Sequence, residues 1–159
     1  MDPLVKVDHN ALRTNQAIII GLLLAAFIFN IPLLVAIVAL VMLSGSVLGR
    51  PGFLPVYRGV LLRLGWVKPH VIPDHPEPHR FAQSVGSVFL LAASAAFLAG
   101  GWGLGWGLVW VVIFLAALNL FAGFCAGCFV YYWLGRLKVP GFTQAPPPGT
   151  FPGMRPKAS

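Results

Sequence analysis

The chain has 159 residues, 58% of them hydrophobic and only 9% charged, with a net charge of +7. A soluble domain carries roughly 25% charged residues, and a fold this small has too little interior to hide so much apolar surface from water. A free-standing soluble domain is therefore excluded, and a lipid bilayer is the solvent that accepts this surface.

Four apolar runs, 17–29, 31–49, 81–99 and 102–134, organise the chain. A helix needs about 20 residues to cross the hydrocarbon layer, so the first must begin near Asn10. Asp8 then serves as its N-cap, with His9 just inside and Arg13, Asn15 and Gln16 at its polar end. In "FNIPLL", Asn30 and Pro32 predict a tight turn into a second helix, because Pro suits the first helical position. Over 54–67, Val56, Val60 and Leu64 share a face while Tyr57 and Trp66 suit the headgroup level, which predicts a short interfacial helix. Residues 69–78 read as an irregular Pro-rich loop, with Pro78 opening the third helix and "GGWGLGWG" turning it into the fourth.

The predicted fold class is an all-α membrane protein with four transmembrane helices in two hairpins. An interfacial helix follows the first hairpin, and a counterpart after the second stays open. The first apolar run leads straight into another span, so it does not read as a cleaved signal. Residues 1–139 form the membrane domain, and 140–159, too rich in Pro and Gly for a helix, form an extended cytoplasmic tail. All eleven basic residues precede or open the first helix, lie in the central connection, or follow the fourth; the turn tips carry none. The positive-inside rule then predicts a bacterial inner (plasma) membrane protein with both termini cytoplasmic. No basic domain outside the membrane is available for nucleic acid.

A shift of 70 residues aligns His9 with His79, "AAF" at 25–27 with "AAF" at 95–97, and Leu64-Gly65 with Leu134-Gly135. Duplicated halves, 9–69 and 79–139, are one reading. The fourth span would then end near Ala122, and the cysteines would open a cytoplasmic-side segment. On the other reading, one helix over 105–133 is about 45 Å long and still carries them to the inner face.

Those cysteines, Cys125 and Cys128 in "GFCAGC", are the only two in the chain. On a helix this spacing puts both sulfurs on one face, close enough for a disulfide, a shared metal or thiol exchange. The alternative is two small apolar residues in a core. Gly123 and Gly127 form a Gly-x-x-x-Gly that also suits close helix packing. Facing the cytoplasm, the pair is expected to rest as a dithiol. Asn119, within two turns, is a candidate supporting polar group. Arg136 and Lys138 would lower a thiol pKa if the chain folded back.

Structural zinc wants four ligands, so metal binding would have to enlist His70, His75 or His79, whose prolines in "HVIPDHPEPH" prevent helical ligand spacing. The first reading of that run is a solvated loop, with His79 and Arg80 on head groups or helix ends. His9 and His79 each open a span near an Arg, which suggests a paired structural role. No cofactor is predicted. No charged residue lies in the middle of a span, which argues against ion-coupled transport. Nucleotide-loop and hydrolase motifs are absent from the sequence.

The runs "VDHNALRTNQAIII", "PEPHRFAQSVGSVFLL" and "ALNLFAGFCAGCFVYYWLGR" resemble a bacterial integral-membrane family, domain of unknown function 4395, over about residues 5–137. The resemblance implies membrane residence and importance for His9, Asn10, Arg13, Asn15, Gln16, His79, Arg80, Asn119, Cys125 and Cys128. It also points to a cytoplasmic thioredoxin-like or sulfurtransferase partner. The expected function is a thiol–disulfide or sulfur relay through Cys125 and Cys128. The alternative is a non-catalytic structural or assembly subunit of a larger membrane complex, and self-association stays open.

Overall fold

The computed structural model describes residues 5–65, 68–147 and 149–155. A short strand, β1 (Val5–Asp8), leads into α1 (His9–Ile28). Asp8 caps α1 as its position implied: its carboxylate accepts the backbone N–H groups of Asn10 and Ala11. Asn30, with φ 52°, turns the chain into α2 (Pro32–Leu48), whose first residue is the expected proline. α2 stops at Gly49 in the left-handed conformation, φ 69°. A single turn, α3 (Leu54–Val56), continues as a π-helical turn over Tyr57–Leu61. Then come β2 (Val71–Asp74), α4 (Pro76–Leu98), and α5 (Trp102–Ala117), which runs on as a second π-helical turn, Leu118–Ala122. Gly123, φ 68°, breaks that helix, and α6 (Ala126–Arg136) starts afresh.

Several expectations need correction. The stretch 69–78 is not wholly irregular, because β2 pairs antiparallel with β1, Val5 opposite Asp74 and Asp8 opposite Val71. Pro73 is tolerated because both strands of a two-stranded ribbon are edges. α4 starts at Pro76, and Pro78 sits inside its first turn, where its missing N–H costs nothing. Val56, Val60 and Leu64 are exposed together, as an interfacial face requires, but Tyr57 is buried and donates its hydroxyl to Asp8 Oδ2 at 2.8 Å. Trp66 lies outside the described residues.

Among the described residues, three helical stretches are long and apolar enough to cross a membrane: His9–Ile28, Pro76–Leu98 and Trp102–Ala122. α2 is apolar but only 17 residues long. At the helical rise it covers about 26 Å against a hydrocarbon layer of about 30 Å. Three helices, not four, thus meet the length criterion. Leu23, Val35, Val38, Leu90 and Val109 are fully buried in the core between α1, α2, α4 and α5. The outside is apolar too: Leu98 is 92% exposed and Phe121 83%. Such a surface suits hydrocarbon rather than water.

The β ribbon brings the starts of α1 and α4 side by side, and polar contacts lock this end of the bundle. Arg80 donates from Nε and Nη2 to the Ser46 carbonyl in the last turn of α2, which also accepts the Gly49 N–H. Gln83 Nε2 donates to the Met42 carbonyl, Asn15 Oδ1 accepts from the Phe53 N–H, and Asn10 Nδ2 donates to the Lys68 carbonyl. Residues 140–147 and 149–155 do not trail away. Phe142 packs edge-on against Phe81 and Tyr131, and Gly153 and Arg155 return to the start of α6.

Candidate redox site

The break at Gly123 decides the local geometry of the cysteines. Had α5 continued, both would sit inside one helix. Instead Cys125 is the N-cap of α6, in extended backbone, and its sulfur accepts the Cys128 N–H at 3.2 Å. Cys128 lies in the first turn. Gly123 and Gly127 therefore flank a break rather than share a packing stripe. Gly127 alone makes the close approach: a Cβ there would meet Ala82 of α4.

The two cysteines are joined as a disulfide, with Cα atoms 5.2 Å apart, inside the range that bridging allows. The dithiol expected at rest is thus not the state the structure holds. The position at a helix start matters to the reduced form, because unpaired N–H groups and the helix dipole favour a thiolate there.

Around the disulfide stands a chain of polar groups from both ends of the sequence. His79, in the first turn of α4, places Nδ1 3.6 Å from Cys128 Sγ and Nε2 3.0 Å from Asp74 Oδ2. His9, in the first turn of α1, puts Nε2 3.2 Å from the same carboxylate oxygen, poorly aligned for a hydrogen bond. The two rings meet edge to face with centroids 5.9 Å apart. The pairing of His9 and His79 is therefore made through Asp74. That residue is buried, which alone would raise its pKa, but contacts with His79 and His9 and the His75 N–H outweigh burial and hold it well below the usual carboxylate range. An ionised carboxylate only accepts, so His79 Nε2 carries the proton toward Asp74, and in the neutral imidazole Nδ1 can accept one from the Cys128 thiol once the disulfide is reduced. Tyr132, buried beside this group, has its pKa raised by burial and by Asp74, and stays protonated.

The remaining candidates fall as follows. Asn119 lies on the π-helical turn and lines a cavity with Cys125, His79 and Gln16. Its carbonyl accepts from Arg155 Nη2 at 3.1 Å. Arg155, not Arg136 or Lys138, is the cation lining the small cavity beside both cysteines; the other two sit exposed at the far end of α6. Asn10, Asn15 and Arg80 tie elements together, and Arg13 is exposed. Among the described residues His70 and His75 are not grouped with His79 as metal donors: His70 is exposed, and His75 occupies the N-cap position of α4 without a side-chain capping bond. The metal-capable group among the described residues is His79, Cys125 and Cys128, whose donor atoms lie within 4.8 Å of one another. That is three donors, one short of a structural zinc tetrad.

Sequence reasoning missed Tyr132, Gly153 and Arg155, and it noted Asp74 only as a metal candidate beside His70, His75, Glu77 and His79. For its pairing with the histidines a signal existed, since Asp-His marks the entry to both α1 and α4, at 8–9 and 74–75. The tail closes the site. The Cys125 N–H donates to the Gly153 carbonyl at 2.7 Å, the Arg155 N–H to the Gly123 carbonyl at 3.0 Å, and Phe124 bridges Met154. Under this cover Cys125 is 5% exposed and Cys128 3%.

No curated protein and no solved structure matches the chain. Residues 7–136, which carry both cysteines, His9, Asp74 and His79, match the family described as Domain of unknown function (DUF4395), and the chain belongs to that family.

Proposed function

We propose that Cys125 and Cys128 are the reaction centre of a membrane thiol–disulfide relay. One observation carries the reading: the disulfide abuts a carboxylate–imidazole pair, with His79 between Cys128 Sγ and Asp74. Thiol exchange needs a sulfur that gains and loses a proton on demand, and an imidazole beside it does that work. An external thiolate attacks Cys125 Sγ, the Sγ–Sγ bond breaks, and Cys128 leaves as a thiolate that takes a proton through His79. The reverse step deprotonates Cys128 at His79 Nδ1 and releases the partner. A purely structural or assembly subunit has no use for this chain of groups, which ranks that alternative second.

The proposal extends to layout. α2 crosses the membrane as a fourth span beside α1, giving two hairpins with the cysteines at the cytoplasmic rim and both termini inside. The support is that Arg80, Arg155, the β ribbon and the cysteines share one end of the bundle. The halves 9–69 and 79–139 are read as a duplication. In support, the turns at 29–31 and 99–101 repeat their three backbone hydrogen bonds 70 residues apart. The exchange partner is a cytoplasmic thiol protein of the thioredoxin-like or sulfurtransferase kind.

Trapping tests the core of this. With Cys128→Ser, an attacked Cys125 has no resolving thiol, so a mixed disulfide should accumulate on non-reducing gels and vanish in the double-serine variant. Failure of the purified wild-type pair to exchange with any small dithiol would end the reading.

A further inference from the structure

A cavity of about 110 Å³ opens against the disulfide between α1, α4 and α5. Its walls are mostly apolar: Ile19, Phe89 and Val112 come from well inside the helices, and Leu115, exposed on the outer face of α5, belongs to its rim. Its polar end is the end that holds Cys125, with Gln16, Asn119 and His79. The Gln16 side-chain oxygen is buried and meets no partner among the described residues. Buried amides are ordinarily satisfied by protein or by water, so this oxygen is available to a donor in the cavity. At about 110 Å³ the recess is smaller than a cavity that encloses one benzene ring, about 150 Å³, so a substituted ring would enter by one edge and leave the rest at the open rim. A mostly apolar recess, lined also by Asn15 and Gln83 and bordered by the exposed Leu115, with Cys125 at its polar end, matches one class of redox molecule.

We infer that this cavity holds the headgroup of a membrane-soluble quinone, which reoxidises the reduced Cys125/Cys128 pair; the inference rests on the relay reading above. Two thiols give up two electrons and two protons as the Sγ–Sγ bond forms, and the quinone takes both to become a quinol. Cys125, which lines the cavity, adds to the ring through sulfur. Cys128, deprotonated by His79, then attacks Cys125 Sγ, and the carbon–sulfur bond breaks with its electron pair going to the ring. His79 also borders the cavity, so the Cys128 proton has a route to a quinol oxygen. The Gln16 and Asn119 amides can donate to quinone carbonyls and accept from quinol hydroxyls.

The test uses the full chain in phosphatidylethanolamine/phosphatidylglycerol nanodiscs, reduced, freed of reductant and kept anaerobic. Ubiquinone-1 or a water-soluble aromatic disulfide is added, with thiols read by maleimide gel shift and quinol by ultraviolet absorbance. The expected result is one quinol per disulfide formed. Ala116→Trp, which fills the cavity, should slow the quinone reaction at least tenfold relative to the soluble-disulfide reaction. Should that variant not fold, Gln16→Leu should raise the quinone KM several-fold on the same relative scale. Reaction with the soluble disulfide but not with quinone would overturn the quinone site and leave the relay standing. Quinone reactivity equal in wild type and variants would overturn it as unspecific thiol chemistry. Reaction with neither oxidant would overturn both.

Discussion

Two aspartates end the two paired strands, and they do different work. Asp8 caps α1, accepts the Tyr57 hydroxyl and also holds the His70 N–H at 3.1 Å. Its partners are backbone amides and a phenol whose pKa burial and Asp8 push up to about 12, so none of them changes protonation near neutrality. Asp74 instead faces two imidazoles, one of which touches a cysteine sulfur. The same carboxylate at corresponding places thus makes a clamp in one region and a proton-handling group in the other. The exits of the helix pairs differ in the same way. Gly49 and Gly123 both end an apolar helix in left-handed backbone. Gly49 turns beneath the Arg80 guanidinium, whereas Gly123 sets Cys125 at the start of a new helix. The lesson is that similar local devices, a strand-end aspartate and a left-handed glycine, leave the chemistry to the few side chains placed beside them.

The widest gap should open at His79. His79→Ala ought to slow exchange with a soluble dithiol by about 100-fold at pH 7, the lower end for loss of a positioned acid–base group. The deficit should narrow above about pH 9, where a free thiol ionises unaided; stopped-flow rates against pH would show a flat difference if His79 merely packs. Next, Asp8→Ala should cost about 1 kcal/mol of stability through the lost cap and leave the exchange rate unchanged, read by chemical unfolding in detergent.

Asp74→Asn should separate the two carboxylates by pH. Because the folded pKa of Asp74 lies below its unfolded value, its stabilisation is complete above the ordinary carboxylate range and is lost as pH falls through the folded value. The variant should be less stable than wild type at pH 7, and the two should converge as the solution is taken below about pH 4. The smallest effects belong to the glycines. Gly49→Ala and Gly123→Ala should each cost about 1 kcal/mol for left-handed backbone, and only the second should alter the exchange rate.

Much of the scaffold was legible because it is written locally. Apolar runs, the Asp8 cap, the Asn30–Pro32 turn and the Cys-x-x-Cys spacing all act over a few residues. The site needed distant segments to meet. β1 and β2 are far apart in sequence, each only four residues long, and Pro73 disguises the second as loop. Nothing short of that pairing puts His9, Asp74 and His79 together. The tail was hidden for another reason: Pro and Gly forbid a helix there but do not forbid docking, and one carbonyl at Gly153 suffices to fasten it over Cys125.

That fastening lies past the stretch that matches the family, which stops at residue 136. A protein trimmed to the matched boundary would keep every sulfur, imidazole and carboxylate of the centre and lose its roof. The sulfurs would then meet alkylating agents and stray oxidants directly, and the turn around Gly153 would have been the difference between a guarded reagent and an open one.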